Sequence, residues 1–144
     1  MSGAQVVAEA RRWLGTPYVH QASVCGVGCD CLGLLRGVWR DVLGPEPEKV
    51  PSYTRDWSEA SGREALWEAA FRWLLPAGPA LSDGDILLFR MREGAVAKHL
   101  GFAASHATGP TVIHAYTGHG VVESPLSAAW SRRIVARFRF PFEG

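Results

Sequence analysis

Cys25, Cys29 and Cys31 are the three cysteines of the chain and lie together in one short segment. An odd count so tightly spaced argues against a disulfide framework, leaving either a thiol that reacts or thiols that hold something. Cys31 is placed for reaction. It falls in the first turn of a predicted helix, directly after Asp30, a natural N-cap whose side chain accepts orphan N–H groups. A helix start favours a thiolate, so the position is expected to depress the Cys31 pKa, with the Asp30 charge working against that effect. A cysteine nucleophile also needs a base, normally an imidazole held in one tautomer by a partner. Of the five histidines, His99 and His114 lie in predicted strands, 99–104 and 111–116, while His20, His106 and His119 fall in predicted loops. If those strands form a hairpin with His99 directly facing His114, both rings share one sheet face with Cβ atoms roughly 4.5–5.5 Å apart. One ring would take the thiol proton while the other orients it. The helix start presented to that face completes a Cys31–His99–His114 triad.

Plainer readings compete with each residue. Cys31 could be a small buried hydrophobe, and the two histidines could be hydrogen-bonded members of the core. Cys25, Cys29, Cys31 and His20 could be four metal ligands, although the spacing matches none of the common zinc patterns. A Cys29–Cys31 disulfide would close a small, strained ring and block the nucleophile. Gly26-Val-Gly28 lacks the third glycine and the preceding strand of a dinucleotide loop.

The elements that must position these groups are legible from periodicity. Ser2 and Gln5 form a capping box, and Val6, Val7, Ala10, Trp13 and Leu14 recur at helical spacing until Gly15 and Pro17. Residues 16–30 read as an irregular loop. Cys31, Leu34, Leu35, Val38, Trp39, Val42 and Leu43 then form one helical face, stopped by Gly44-Pro45. Gly33 and Gly37 in that helix indicate close approach to a neighbour. A further capping box, Ser61 to Glu64, opens a helix with the stripe Leu66, Trp67, Ala70, Phe71 and Leu74, closed by Pro76. Past Pro79 the period becomes extended, with strands over 86–89, 99–104, 111–116, 120–124 and 133–140. A loop holding Ser105, Thr108, Gly109 and Pro110 separates the two histidine strands. Trp13, Trp39 and Trp67 fall on apolar stripes and read as core. Arg132, Arg133, Arg137 and Arg139 read as the solvated side of a strand. Helices first and strands after indicate α+β with an antiparallel sheet.

With 144 residues the chain has the length of one domain, taken as 1–144, with 47% hydrophobic and 20% charged residues. A formal charge of +1 gives no electrostatic footprint for nucleic acid. No apolar run is long enough to cross a membrane. Glu9, Arg11 and Arg12 break up the first apolar stretch, which does not read as a signal peptide, so synthesis in the cytoplasm is expected.

Trp13-Leu-Gly-Thr-Pro-Tyr18, Asp30-Cys31-x-Gly33-Leu34, His99-x-Gly101 and Ile113-His114-Ala115, in this order, resemble the NlpC family of papain-like cell-wall peptidases. The resemblance spans nearly the whole chain. It implies a papain-like fold, with N-terminal helices packed on a central antiparallel sheet and the nucleophile at a helix start. It further implies Cys31 as nucleophile, His99 as base, His114 as its orienting partner, and Tyr18 and Asp30 as substrate-binding residues. No cofactor and no metal are implied. The substrate implied is a peptidoglycan stem peptide, cut between γ-D-glutamate and diaminopimelate. Gly28-Cys-Asp-Cys-Leu-Gly-Leu-Leu35 and Phe138-Arg-Phe-Pro141 look most like the phage-tail and gene-transfer-agent branch. That likeness implies tail-tip or baseplate partners and a virion-associated location, acting on the cell wall. Leu32 stands where many members carry Ser, and His20-Gln21-Ala22 where many carry a Gly-Gly pair. A catalytically inert tail component of the same fold, or a related amidase or acyltransferase, are the alternatives.

Overall fold

A computed structural model describes residues 2–47, 65–95 and 97–142, with the side chains of 65–67 left aside. The elements run α1 (Gly3–Arg11), β1 (Ser23–Val24), β2 (Gly28–Cys29), α2 (Cys31–Val42), α3 (Ala65–Trp73), β3 (Leu75–Pro76), β4 (Ile86–Phe89), β5 (His99–His106), β6 (Gly109–Tyr116), β7 (Gly120–Pro125), α4 (Ala128–Ser131) and β8 (Ile134–Arg139). The architecture is α+β, as the order of periods predicts. Six strands form an antiparallel sheet in the order β3-β8-β4-β5-β6-β7.

Period-two alternation divides this sheet into two apolar faces. On one, Ile86, Leu88, Leu100, Phe102, Ile113 and Ala115 join Val6 and Ala10 of α1 and Leu34 and Val38 of α2. On the other, Leu87, Phe89, Ala103 and Val112 gather Leu126, Met91, Trp130 and Ile134. The capping box of α1 is complete, with Ser2 and Gln5 each accepting the other's backbone N–H. The predicted stripe of α2 lies against the first core, and its two glycines explain the close fit. A Cβ at Gly37 would run into the Trp13 ring, and one at Gly33 into the Ala22 carbonyl.

Several expectations need correction. The loop over 16–30 contains the small β1–β2 sheet. Ser105 and Pro110 belong to paired strands, because the β5–β6 turn is only Ala107-Thr108. The short elements β3 and α4 carry too few residues to show a period. Phe71 is 66% exposed, although its ring meets Phe138 edge-on at 5.4 Å. The Ser61–Glu64 capping box lies outside the described residues, as do the side chains of Leu66 and Trp67. Arg137 is no solvated residue. It pairs with Asp85 at 3.1 Å and donates to the carbonyls of Gly78, Pro79 and Ala80, fastening the approach to β4 onto β8.

Gly37→Ala is expected to lower the thermal midpoint. Overpacking against a ring buried to 2% exposure costs about 1–3 kcal/mol, more than the helix-propensity gain of about 1 kcal/mol. A midpoint at or above wild type in thermal denaturation would contradict the close Trp13–Gly37 packing.

Candidate active site

Asp30 and the two glycines around it shape the start of α2. Asp30 is extended at the N-cap, and its Oδ1 accepts the Gly33 N–H at 2.7 Å. Its Oδ2 accepts the Gln21 N–H at 2.7 Å and lies 3.8 Å from His20 Nδ1. The carboxylate is therefore a buried tie between the helix start and the 19–22 loop. Tyr18 bridges in parallel to Cys29, through Val19 N–H to Cys29 C=O and Cys29 N–H to Pro17 C=O. Tyr18 and Cys31, both half-buried, pack on the same core.

His99 and His114 are both buried on β5 and β6. The hairpin register differs from expectation by two residues. Phe102 pairs with Ile113 and Ala103 with Val112, so the same register carried along sets His114 across from Gly101. The histidines are thus diagonal neighbours on one face, still within reach of long side chains. They lean together over Gly101, where a Cβ would lie 3.0 Å from the His114 Cβ. His99 Nε2 and His114 Nδ1 are hydrogen-bonded at 2.8 Å.

The helix body does not lie over that face. Leu100 and Phe102 point toward α2, while His99 stands on the side of Phe89 and Trp130. The first residue of α2, Cys31, is the one that meets the strand backbone at His99. Cys31 Sγ points at the Lys98 carbonyl at 3.8 Å and receives the Leu100 N–H, meeting the backbone on both sides of His99. Among the described residues, the thiol and the His99 ring share no hydrogen bond. Catalytic hydrogen bonds are often long in ligand-free enzymes and tighten on binding.

No family model and no curated protein matches the sequence. Solved structures do. The NlpC/p60 domain of the peptidoglycan hydrolase SagA superposes with a TM-score of 0.56 at 26% identity, over 86% of this chain and 89% of that one. The fold is that of an NlpC/p60 domain. An NlpC/p60 family protein from Bacillus cereus ATCC 10987 matches at TM-score 0.64 and 17% identity. It covers 97% of this chain, which spans only 40% of that longer one. An N-acetylmuramoyl-L-alanine amidase from Bacteroides uniformis ATCC 8492 matches at TM-score 0.60 and 15% identity, over 97% and 99% of the two chains.

Burial dominates the electrostatics of this site. The Cys31 thiol is pushed up to about 12 by burial and then by the Asp30 charge. The N–H groups of Leu100, Leu32 and Cys31 pull the other way and do not prevail. The expected depression by the helix start is therefore overturned. Burial likewise lowers His99 to about 3, with His114 adding to the effect, and lowers His114 to about 4. Thiol and both rings rest neutral near pH 7. Cys29, in the core, is raised to about 12 by burial, whereas Cys25 is exposed. All three cysteines are free, and no metal-binding group of three or more ligands occurs among the described residues.

Sequence reasoning missed the aromatic surround. Trp130, Phe89, Tyr116 and His119 continue outward from the two rings, with Tyr116 stacked on His114 and His119 on Tyr116. Phe89 sits on an apolar strand and Tyr116 at a strand end. Trp130 follows the Ser127 cap of a helix too short to display a stripe. Arg133, read as solvated, stands over the Trp130 ring at 5.3 Å.

Stability is expected to depend on pH on both sides of neutrality. Each histidine has a folded pKa below 6.5, so below that value the unfolded chain binds more protons, and stability falls as pH drops toward 4 and then 3. Cys29 and Cys31 have folded pKa values above 9.0, so the unfolded chain loses protons first and stability falls as pH rises from 9. Urea unfolding across pH should show a plateau between these limbs. Stability flat from pH 7 to 4 would contradict the burial of the histidine pair. Gly101→Ala is expected to drive His114 from His99, with activity falling by about 10²-fold, the loss typical of a 1 Å misplacement. Kinetics of the folded variant check this.

Proposed function

We propose that this chain is a cysteine peptidase that hydrolyses peptidoglycan stem peptides with Cys31, His99 and His114. The observation that carries the reading is the Nε2–Nδ1 hydrogen bond between His99 and His114, with Cys31 Sγ seated on the backbone either side of His99. The NlpC/p60 fold, and the peptidoglycan hydrolase and amidase among its structural neighbours, support a cell-wall hydrolase.

The hydrogen bond allows a division of labour between the two rings. With His99 Nε2 donating its proton to His114 Nδ1, the lone pair of His99 Nδ1 is left to act as base. Nδ1 takes the Cys31 proton as Sγ attacks the scissile carbonyl carbon. Burial penalises each isolated charge, so thiolate and imidazolium form together, each stabilising the other in a low-dielectric site. The Cys31 N–H at the helix start, with the Tyr18 hydroxyl, stabilises the oxyanion. Collapse breaks the C–N bond, and His99 Nδ1–H protonates the leaving amine. Water, deprotonated by the same nitrogen, then cleaves the thioester and returns the proton to sulfur. Asp30 acts beside this as the residue that orients the helix start and the substrate's amino end.

The bond we infer joins γ-D-glutamate to diaminopimelate. The amidase neighbour favours testing the N-acetylmuramoyl to L-alanine bond as the second reading. A further reading, from the resemblance of Gly28–Leu35 and Phe138–Pro141, is delivery in a phage-like tail through tail-tip or baseplate proteins. Co-sedimentation with such particles tests it.

Digestion of purified peptidoglycan, read by product mass, is expected to give new amino termini with wild type and none with Cys31→Ala. Equal turnover by both would end the proposed mechanism; release of whole stem peptides would select the amidase reading. At pH 7, iodoacetamide should alkylate Cys31 faster in wild type than in His99→Ala, which leaves a buried thiol without its base. Equal rates, mapped by peptide mass to separate out exposed Cys25, would remove His99 as the base.

A further inference from the structure

Trp130 has more aromatic contacts with the histidine pair than any catalytic proton transfer requires. Its indole lies edge-on to His114, with centroids 5.0 Å apart at 89°, and tilted over His99 at 5.8 Å. It also meets Phe89 at 5.3 Å and Tyr116 at 5.8 Å. Yet Trp130 is only half-buried, on the single turn of α4, where Ser127 Oγ accepts its backbone N–H at 3.3 Å. Arg133, one turn further on, sets its guanidinium over the same indole at 5.3 Å. The indole therefore meets a cation as well as both imidazoles.

We propose that Trp130, backed by Arg133, is a positioning residue that keeps water from the His99–His114 hydrogen bond and so fixes which nitrogen of His99 stays free. The proposal rests on the catalytic reading above. The physical argument is that neutral imidazoles have two tautomers, and water can satisfy either nitrogen of each. When water is excluded the single ring-to-ring bond couples the two tautomers, one ring donating and the other accepting, and the arrangement with His99 Nε2 donating is the one that leaves Nδ1 free for Cys31. Phe89 closes the box from β4, and Tyr116 closes it from the end of β6. Among the described residues, the titratable and charged groups facing the pair include Cys31 and Asp30 from the α2 start, Lys98 beside His99, Tyr116 stacked on His114, His119 beyond Tyr116 and Arg133 beyond Trp130. None replaces the indole as a dry wall. Burial is the leading cause of both depressed imidazole pKa values, in keeping with this role.

Long-range proton–nitrogen NMR of the histidine rings tests the proposal without substrate. Wild type should show His99 protonated at Nε2 only, with both rings titrating well below 6.5. In Trp130→Ala the two titrations should move up toward 6.5 and the His99 tautomers should mix, while Trp130→Phe restores the wild-type pattern. In hydrolysis, kcat should drop about 10- to 100-fold in Trp130→Ala with KM little changed, and the acid limb of the rate profile should move to higher pH. A folded Trp130→Ala with unchanged tautomer and titrations overturns the proposal, as does a lower melting temperature with an unmoved pH profile. If Trp130→Ala does not fold, Arg133→Ala serves in its place. It should give the same shifts in smaller measure, and no shift overturns the idea. If wild type proves hydrolytically inert, the NMR arm still decides the positioning role and only the proposed activity falls.

Discussion

The Asp30 carboxylate is 2% exposed and divides its oxygens between two elements, Oδ1 to the Gly33 N–H and Oδ2 to the Gln21 N–H. A buried carboxylate is costly unless hydrogen-bonded, so neither partner is dispensable. The constraint propagates in both directions. Gln21 adopts φ 65, a left-handed conformation that costs a non-glycine residue about 1–2 kcal/mol, and the short bond to Oδ2 offsets it. Gly33 has no side chain because the Ala22 carbonyl fills the space where a Cβ would sit. Asp30, Gly33 and the 19–22 loop are thus one mechanical unit. What it positions is Cys31, the next residue along.

That placement has an electrostatic consequence. The charge that seats the helix start also opposes a thiolate at Cys31, and together with burial it outweighs three N–H groups that favour one. The histidines face the same condition, since the apolar box that holds them disfavours an imidazolium. A site built this way keeps sulfur and both rings neutral at rest. In the proposed mechanism, charge then has to appear on both partners at once, during attack, where mutual attraction in a dry environment compensates for burial. Exposure of either partner alone would break that symmetry, which is why the aromatic walls matter as much as the polar groups.

Helix α2, its N-cap and its glycines were readable because each rests on local chemistry: a capping carboxylate, a stripe at helical spacing, and glycines where a neighbour comes close. That His99 and His114 share a face was also readable, because parity survives a shift of two residues. The register itself was not, since it depends on a two-residue turn at Ala107-Thr108 that pulls Ser105 and Pro110 into the ladder. Trp130 and Arg133 were missed for a different reason. The helix that carries Trp130 and ends just before Arg133 is one turn long, so no period marks it, and the indole's contacts run to strands distant in sequence. The direction of the Cys31 pKa shift was beyond local reasoning too, because burial is a property of the assembled fold.

The 19–22 loop is where the sequence departs from the motifs it otherwise resembles, and the structure gives that departure a physical meaning. His20 and Gln21 occupy the approach to Asp30: the Gln21 N–H is bonded to Oδ2, His20 Nδ1 is 3.8 Å from it, and the two side chains meet at 3.3 Å. A pair of glycines would leave that side of the carboxylate open to a ligand, whereas two polar side chains crowd it. On the proposed reading of Asp30 as a substrate-binding residue, a substrate amine reaching Oδ2 must share the oxygen with groups already there. Discrimination at this end then depends on whether the bound group can also satisfy His20 and Gln21, because a polar group buried without a partner costs more than a hydrogen bond gains. On that reading, the same loop that holds Cys31 in place also sets the terms on which a substrate's amino end is received.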